Sequence, residues 1–292
     1  MLGASINQSN WNSRFFEQGG LFDVFKPWAE WFLLQSAAFP SLDSLTRASH
    51  ECAVAPPLSG GGFPIRFVRQ QRVMRQQRLD LGWRANYQLR IFFSGEVPSR
   101  TENWHDFFNA WTWIFLPRVK SAINKRHFYC LDETIEFPWR LQGGNRNREQ
   151  DMLTLFDEGG LLVVTDDDEL WQLVVERRWM SLFVEQSERV YAKMMFIPVG
   201  HALFECALNG HPHLHASCIR VTANVAQQLK RSDGGCSLET LKLIDERAAL
   251  EIERRTHLRS PDDLHAFPIW GLRGWHPQAG DPSFISDKTH FR

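Results

Sequence analysis

Several features that define common protein classes are scarce or missing in this chain. Its five cysteines are scattered and never form a CxxC pair, which argues against a disulfide framework and against a thiolate zinc site. Such thiols are typical of a reducing compartment, so we expect a cytoplasmic protein. The formal net charge is only −1, and the molecule as a whole therefore has no general attraction for nucleic acid or anionic membranes.

Membrane and secretion signals are also lacking. The most apolar run, LFDVFKPWAEWFLLQSAAF, is interrupted by Asp23, Lys26, Pro27 and Glu30 and is too charged to span a bilayer. The first residues contain no cationic region followed by an apolar run, so no signal peptide is predicted. GxGxxG, P-loop, GxSxG and HExxH motifs are all missing, and no familiar catalytic signature identifies a reaction.

Large aromatic side chains, by contrast, are abundant. The chain has 12 Trp and 22 Phe beside only 3 Tyr, which indicates a large aromatic core or interface. We predict one α+β domain over residues 1–292, rich in helix, with a small, mostly antiparallel sheet. Its parts are a helical N-terminal region (1–58), a core (59–258) and an irregular C-terminal arm (259–292) that wraps the outside.

Three segments of the core have clear local signals. Residues 103–116 form a predicted helix, with Asn103 as its N-cap and Pro117 at its end. The letters MLTLFDEGGLLVVT contain two apolar runs joined by a turn-like DEGG, which predicts a β-hairpin over 152–165. GHALFECAL predicts a short helix over 200–208.

The first of these helices has an unusual polar face. At ~100° per residue, His105, Asn109 and Thr112 fall within about 60° of one another, opposite the apolar face. Asp106 lies beside them. A face that meets water usually carries Lys, Glu, Gln or Arg, whereas these short polar groups have poor helix propensity. They predict a protected polar site.

The second helix repeats this arrangement. His201 and Glu205 are four positions apart among apolar residues, and a buried carboxylate is costly unless it is paired. We expect His201 to be the partner of Glu205. A His and a carboxylate on one face could orient a general base or bind a metal such as zinc or manganese. A core His bonded to a carbonyl, or a His–Glu pair joining two helices, would give the same letters.

The sequence therefore predicts an enzyme, a hydrolase or transferase, with a cleft between the helices 103–116 and 200–208. His105 or His201 would be the general base or a metal ligand, and Asp106 and Glu205 would orient the imidazoles. A small or anionic substrate would be held by Asn109, Arg118, Lys120 and Asn124. The candidate metal ligands are His105, Asp157, His201 and Glu205, although the DEGG letters around Asp157 are ordinary turn chemistry.

A second hypothesis is a binding module for a protein or for RNA. Arginine recurs at every third position from residue 66 to residue 78. On an α-helix that spacing spreads the five side chains around the cylinder, which is typical of a solvated segment. Nucleic acid is the less favoured partner.

The blocks VPSR, NWHDFFNAWTW, LPRVKSAIN, DMLTLFDEGG, GHALFE, GLRGWHP and DPSF resemble a bacterial family, domain of unknown function 3025. The resemblance runs from about Ser59 to the C-terminus and implies no particular reaction. Ser99, Leu116 and Gln88 depart from the expected pattern. The resemblance singles out these positions: Arg100, Asn103, His105, Asp106, Asn109, Trp113, Pro117, Arg118, Lys120, Asn124, Asp151, Thr154, Asp157, His201 and Glu205.

Overall fold

A computed structural model of the protein describes residues 10–71, 78–132, 147–224 and 236–291. It has an α+β fold that is rich in helix, as predicted. No helix in these ranges is long and apolar enough to cross a membrane. The helices are α1 (Ala29–Leu34), α2 (Leu42–Glu51), α3 (Arg78–Leu81), α4 (Tyr87–Ser94), α5 (Trp104–Phe115), α6 (Pro117–Asp132), α7 (Arg148–Gly159), α8 (Asp168–Val175), α9 (Ser187–Lys193), α10 (His201–Leu208), α11 (Leu238–Glu253) and α12 (Pro282–Ile285).

Two small sheets accompany the helices. The strands are β1 (Arg66–Arg69), β2 (Glu96–Ser99), β3 (Gly160–Val164), β4 (Met195–Pro198), β5 (His215–Val221) and β6 (His265–Pro268). β1 and β2 pair in parallel, and the other four form a sheet in the order β4-β3-β5-β6. Its outer pairs are antiparallel and its central pair is parallel, so the prediction of a mostly antiparallel sheet is confirmed. All five residues of β3 are buried, as expected of a central strand.

The predicted hairpin over 152–165 is wrong. Its first half is the helix α7, which starts at a capping box made by Asn147 and Gln150. Met152, Leu153 and Phe156 are buried at helical spacing. The strand β3 follows at once, and it pairs with β4 and β5 instead of with residues 152–156. The letters DEGG therefore end a helix.

The N-terminal region covers one side of α5 with aromatic rings. Its chain forms tight helical turns over Gly20–Trp28 before α1 begins. The rings of Phe15 and Phe25 lie 5.6 and 5.7 Å from the ring of Phe108. Each fully buried Phe contributes roughly 1.5–3 kcal/mol to stability. Many of the aromatic residues of the chain thus pack around α5 and fix it in the interior.

The C-terminal arm is more regular than the sequence suggested. Residues His265–Pro268 form β6, which pairs antiparallel with β5 and completes the four-stranded sheet. Phe267 is fully buried, and Phe284 and Ile285 of α12 are buried too. The arm therefore contributes one strand and several core side chains.

The start of α6 is fixed by a residue far away in the sequence. Asp245 of α11 accepts hydrogen bonds from the backbone N–H groups of Arg118 and Val119, at 3.1 and 2.9 Å. These two groups have no partner within their own helix, so the carboxylate acts as a cap supplied by another element. The cap fixes the position of α6, which carries Lys120 and Asn124.

Candidate active site

The helix α5 begins as predicted, at Asn103. The Asn103 side chain accepts a hydrogen bond from the Asp106 backbone N–H at 3.0 Å, the usual arrangement of an N-cap. Every residue of α5 is buried except His105, which is partly exposed. The polar face of α5 is therefore not a solvent face, and α10 packs against this helix.

Three side chains from α5 and α10 form a hydrogen-bonded chain. His105 Nδ1 lies 3.0 Å from Glu205 Oε2, and His105 Nε2 lies 3.0 Å from His201 Nε2. The two imidazole planes are nearly perpendicular, at 85°. The sequence predicted that Glu205 would pair with His201 on its own helix. Its partner is instead His105 on the neighbouring helix, and His105 connects the other two.

The proton positions follow from the partners. An ionised carboxylate only accepts, so His105 Nδ1 carries the hydrogen that binds Glu205. The remaining nitrogen of a neutral His105 is then an acceptor, and His201 Nε2 must donate to it. His201 Nδ1 is left as a bare lone pair. This order of protons is assigned from the hydrogen-bond network.

That last nitrogen has no partner. Within the described ranges, His201 Nδ1 is buried and makes no hydrogen bond, and the residue is only 5% exposed. Burial lowers the pKa of His201 to about 3, with the charge of Asp157 acting in the opposite direction. The imidazole is therefore neutral throughout the physiological range.

A second polar cluster surrounds Lys120, which is 3% exposed. Its ammonium group donates to Asn109 Oδ1 at 2.9 Å and forms an ion pair with Asp157. Asn109 in turn donates to the hydroxyl of Tyr87 at 3.0 Å. Burial acts to raise the pKa of Asp157, but the charge and hydrogen bond of Lys120, together with His201 and His127, outweigh it and the pKa is lowered. Asp157 is therefore ionised, and the Lys120–Asp157 pair is a buried salt bridge.

Tyr87 was not among the site residues predicted from the sequence. Burial raises the pKa of its hydroxyl group, and the negative charge of Asp157 raises it further. Tyr87 and Lys120 line a small pocket of about 10 Å³, roughly the room that one water molecule needs. The other lining residues are Gln88, Ile91, Trp113, Ile123, Asn124 and Asp157.

Two predicted substrate ligands make packing contacts. Arg118 forms an ion pair with Glu246 of α11 at 3.1 Å. Asn124 accepts from the backbone N–H of Gly60 at 3.0 Å and donates to Gln88 at 2.9 Å. Asn124 therefore reaches the pocket wall while joining neighbouring segments, whereas Arg118 faces α11.

Asp106 also has a partner that the sequence did not suggest. Its Oδ2 accepts from Nε and from the backbone N–H of Arg100, at 2.8 and 2.6 Å, and its Oδ1 accepts from Nη2 at 3.0 Å. Both oxygens of Asp106 therefore bind Arg100. The predicted role of orienting an imidazole belongs, by geometry, to Glu205 alone.

The four candidate metal ligands are not arranged as a metal site. In the described part of the chain, no group of three or more His, Cys, Asp or Glu side chains is placed to hold a metal ion. Both ring nitrogens of His105 are hydrogen-bonded, to Glu205 and His201. Asp157 is bound by Lys120. The predicted zinc or manganese donor set is therefore not assembled.

The comparisons with known proteins give a family and no activity. No curated protein and no solved structure matches the chain. The model of one family covers residues 65–292, nearly the whole stretch in which the resemblance was seen. The chain belongs to the family described as "Protein of unknown function (DUF3025)".

Proposed function

We propose that the protein is an acid–base enzyme, a hydrolase or transferase, in which His201 and His105 pass a proton and Glu205 orients His105. One observation carries the proposal: the hydrogen-bonded chain of these residues ends at His201 Nδ1, a buried nitrogen to which no group in the described part of the protein is bound. An unpaired buried acceptor costs about 1–3 kcal/mol. A substrate or water O–H group that binds there would remove this cost.

The proton movement follows from the tautomers. The reacting O–H gives its proton to His201 Nδ1, while His201 Nε2 gives its own to His105 Nε2. The positive charge then lies on His105, which is 28% exposed and bound to the carboxylate of Glu205. Burial disfavours a charge on His201. His201 therefore conducts the proton, and His105 is the base that keeps it.

Lys120 would stabilise the negative charge that forms on the substrate. Its ammonium group is buried, and its charge acts on His201 together with that of Asp157. A fixed cation in a site shielded from water stabilises a developing oxyanion more than it would in solution. Asn109 and Asp157 hold the ammonium group in place. The small pocket beside Lys120 would receive the group that becomes charged.

A purely structural role fits the geometry less well. A His–Glu pair between two helices needs only His105 and Glu205, and it does not account for the second imidazole, His201, that His105 also binds. The RNA hypothesis also loses support, because Arg66 and Arg90 both bind Glu96. Arg72, Arg75 and the side chain of Arg78 lie outside the described residues. A cytoplasmic location remains part of the proposal, supported by the five free thiols.

The test is turnover of activated substrates. We would assay p-nitrophenyl esters and p-nitrophenyl phosphate, with and without a primary alcohol as acceptor. The wild type should convert at least one of them, and His201→Gln and Glu205→Gln should each lower kcat by about 100-fold. His257→Gln, at an exposed histidine outside the site, is the matched control. A wild type that converts none of them, or a folded His201→Gln variant with full activity, would refute the proposal.

A further inference from the structure

We propose that Arg100 binds an oxyanion of the substrate, a carboxylate or a phosphate, at the mouth of the site, and that Asp106 is its positioning residue. This inference rests on the proposed function, since it names the substrate class of the same site. It assigns anion binding to a residue other than the four predicted substrate ligands, of which Asn109 is bound to Lys120 and Tyr87.

The other three predicted ligands, Lys120, Arg118 and Asn124, also have partners within the protein. Lys120 is buried and bound to Asp157 in the interior, so it does not face the solvent from which a charged group would enter. Arg118 is bound to Glu246 on α11. Asn124 carries no charge and is hydrogen-bonded to Gly60 and Gln88. A charged group on the substrate therefore needs another cation.

Arg100 is held more rigidly than a surface arginine usually is. Its backbone N–H, Nε and Nη2 all donate to Asp106. The Arg100 side chain is 53% exposed, whereas that of Asp106 is 12% exposed. A nearly buried carboxylate is thus used to fix a guanidinium that faces solvent. Exposed ion pairs stabilise proteins little, so fold stability alone does not account for this arrangement.

The backbone next to Arg100 is strained. Glu102 has φ 54°, a left-handed conformation that is uncommon for a residue other than glycine. It lies in the short loop between Arg100 and the N-cap Asn103. Strain of this kind persists where the surrounding structure enforces it, and it is concentrated at binding sites. In this protein the strained residue, Glu102, lies in the turn that brings Arg100 and Asp106 together.

Arg100 lies next to the hydrogen-bonded chain of Glu205, His105 and His201 (the relay), because its partner Asp106 directly follows His105 on α5. The bond to Asp106 raises the pKa of Arg100, and the charge of Glu205 raises it as well. Glu205 is also the residue that binds His105. A group bound to Arg100 would therefore lie beside the end of the relay that is nearest to solvent.

The guanidinium favours an oxyanion as its ligand. Arginine presents N–H donors in a planar fork that matches carboxylate and phosphate oxygens. The bonds to Asp106 use Nε and Nη2. The Nη1 side of the fork is not used in them, and in the described part of the chain Arg100 forms no other ion pair. That edge can bind a ligand without breaking the contact that positions it.

Because Arg100 lies near Glu205, the proposal also predicts how the charge of Glu205 changes the affinity for an anion. Two negative charges close together repel each other, so ionised Glu205 should weaken the binding of an anion to Arg100. Removing its charge should strengthen that binding. A binding site elsewhere on the surface would show no such dependence on Glu205.

The experiment is calorimetric titration of the protein with inorganic phosphate and, separately, with acetate, at constant ionic strength. The wild type should bind at least one of the two saturably, and the better ligand identifies the oxyanion. Arg100→Gln should weaken this binding at least about tenfold, because the charged fork is lost. Glu205→Gln should strengthen it several-fold. Arg66→Gln removes another exposed arginine that is paired with a glutamate, and it should change nothing.

Absence of saturable binding by the wild type, equal binding by folded Arg100→Gln, or weaker binding by Glu205→Gln would each overturn the inference. If Arg100→Gln does not fold, Arg100→Lys keeps the charge without the fork and should bind clearly more weakly than the wild type. The relay is tested separately, by turnover in His201→Gln. Loss of that turnover without any anion binding would refute only the role of Arg100.

Discussion

His201 Nε2 lies 3.0 Å from His105 Nε2, although the two residues are 96 positions apart in the chain. Two imidazoles can make this contact only if one nitrogen donates and the other accepts. Glu205 decides which, because its carboxylate requires a hydrogen on His105 Nδ1. The order of protons along the three residues is therefore fixed by the acceptor at one end.

This order can be measured directly. Long-range proton–nitrogen correlation NMR should show His105 with its hydrogen on Nδ1 and His201 with its hydrogen on Nε2. The Glu205→Gln variant should lose the Nδ1 preference of His105, because a neutral amide can accept or donate. Detection of the Nδ1–H tautomer at His201 in the wild type would contradict the relay.

The stability of the protein should depend on pH through His201. Its pKa is about 3 in the folded protein and about 6.5 in an unfolded chain. Between these values the unfolded state binds more protons, so stability should fall as the pH is lowered below about 6.5, by at most about 1.4 kcal/mol per pH unit.

The variant His201→Leu removes both this slope and the unpaired nitrogen. At about pH 7 it should be more stable than the wild type by roughly 1 kcal/mol, because the unpaired buried Nδ1 is removed. His105 Nε2 loses its donor in this variant, but the His105 side chain is 28% exposed and water can replace that donor. Its advantage should grow as the pH falls toward the folded pKa. Urea unfolding at several pH values measures both effects. A large loss of stability at neutral pH would instead indicate that His201 is needed for the fold.

The sequence predicted the helices of this site but not the contacts between them. Local signals are strong there: Asn103 is a good N-cap, Pro117 begins a new helix, and the polar residues stand out among aromatics. Which carboxylate meets which imidazole depends on how α5 and α10 are oriented. The i, i+4 spacing therefore suggested a pair between His201 and Glu205, whereas tertiary packing pairs Glu205 with His105.

The failed hairpin has a similar cause. The letters DEGG suit a turn, but Gly160 lies where the chain leaves α7, and Gly200 at the start of α10 packs closely against that end of the helix. A Cβ on Gly160 would lie 2.2 Å from the carbonyl oxygen of Phe156, and one on Gly200 would lie 2.4 Å from that of Glu158. The end of α7 is thus packed against the start of α10. The sequence of residues 152–165 contains no signal from which the contact with α10 could have been predicted.

Asp245 should stabilise the protein as a distant helix cap. Asp245→Ala leaves the N–H groups of Arg118 and Val119 without their acceptor, which should cost about 1–3 kcal/mol. Burial raises the pKa of Asp245 to about 7. Since the unfolded carboxyl ionises at a lower pH, this residue's contribution to stability should decrease as the pH rises from about 4 to 7.

The cost of Asp245→Ala should therefore be larger at about pH 5 than at about pH 8. Thermal unfolding of both proteins across this range gives the comparison. Glu246→Ala, at the neighbouring exposed residue, should leave the stability unchanged and serves as the control. A cost that increases with pH would mean that the ionised carboxylate of Asp245 is the better cap. That result would contradict the raised pKa of Asp245.

The effects of substituting Lys120 and Asp157 on the free energy of unfolding should depend strongly on each other. Lys120→Met leaves the buried carboxylate of Asp157 without its counter-charge, which should destabilise the protein by about 3–5 kcal/mol. Adding Asp157→Asn removes the isolated charge, so the double variant should recover a large part of that loss. Urea unfolding with an unchanged m-value would measure both free energies.

Lys125→Met on the same helix is the matched control, because Lys125 is 34% exposed and its contact with Glu253 is long, at 3.3 Å. Its stability should stay close to that of the wild type. If the double variant folds stably but has no turnover, the pair serves catalysis and not only the fold. If Lys120→Met is as stable as Lys125→Met, Lys120 does not hold Asp157 as an ion. Asp157 would then not fix the ammonium group that is proposed to stabilise the oxyanion.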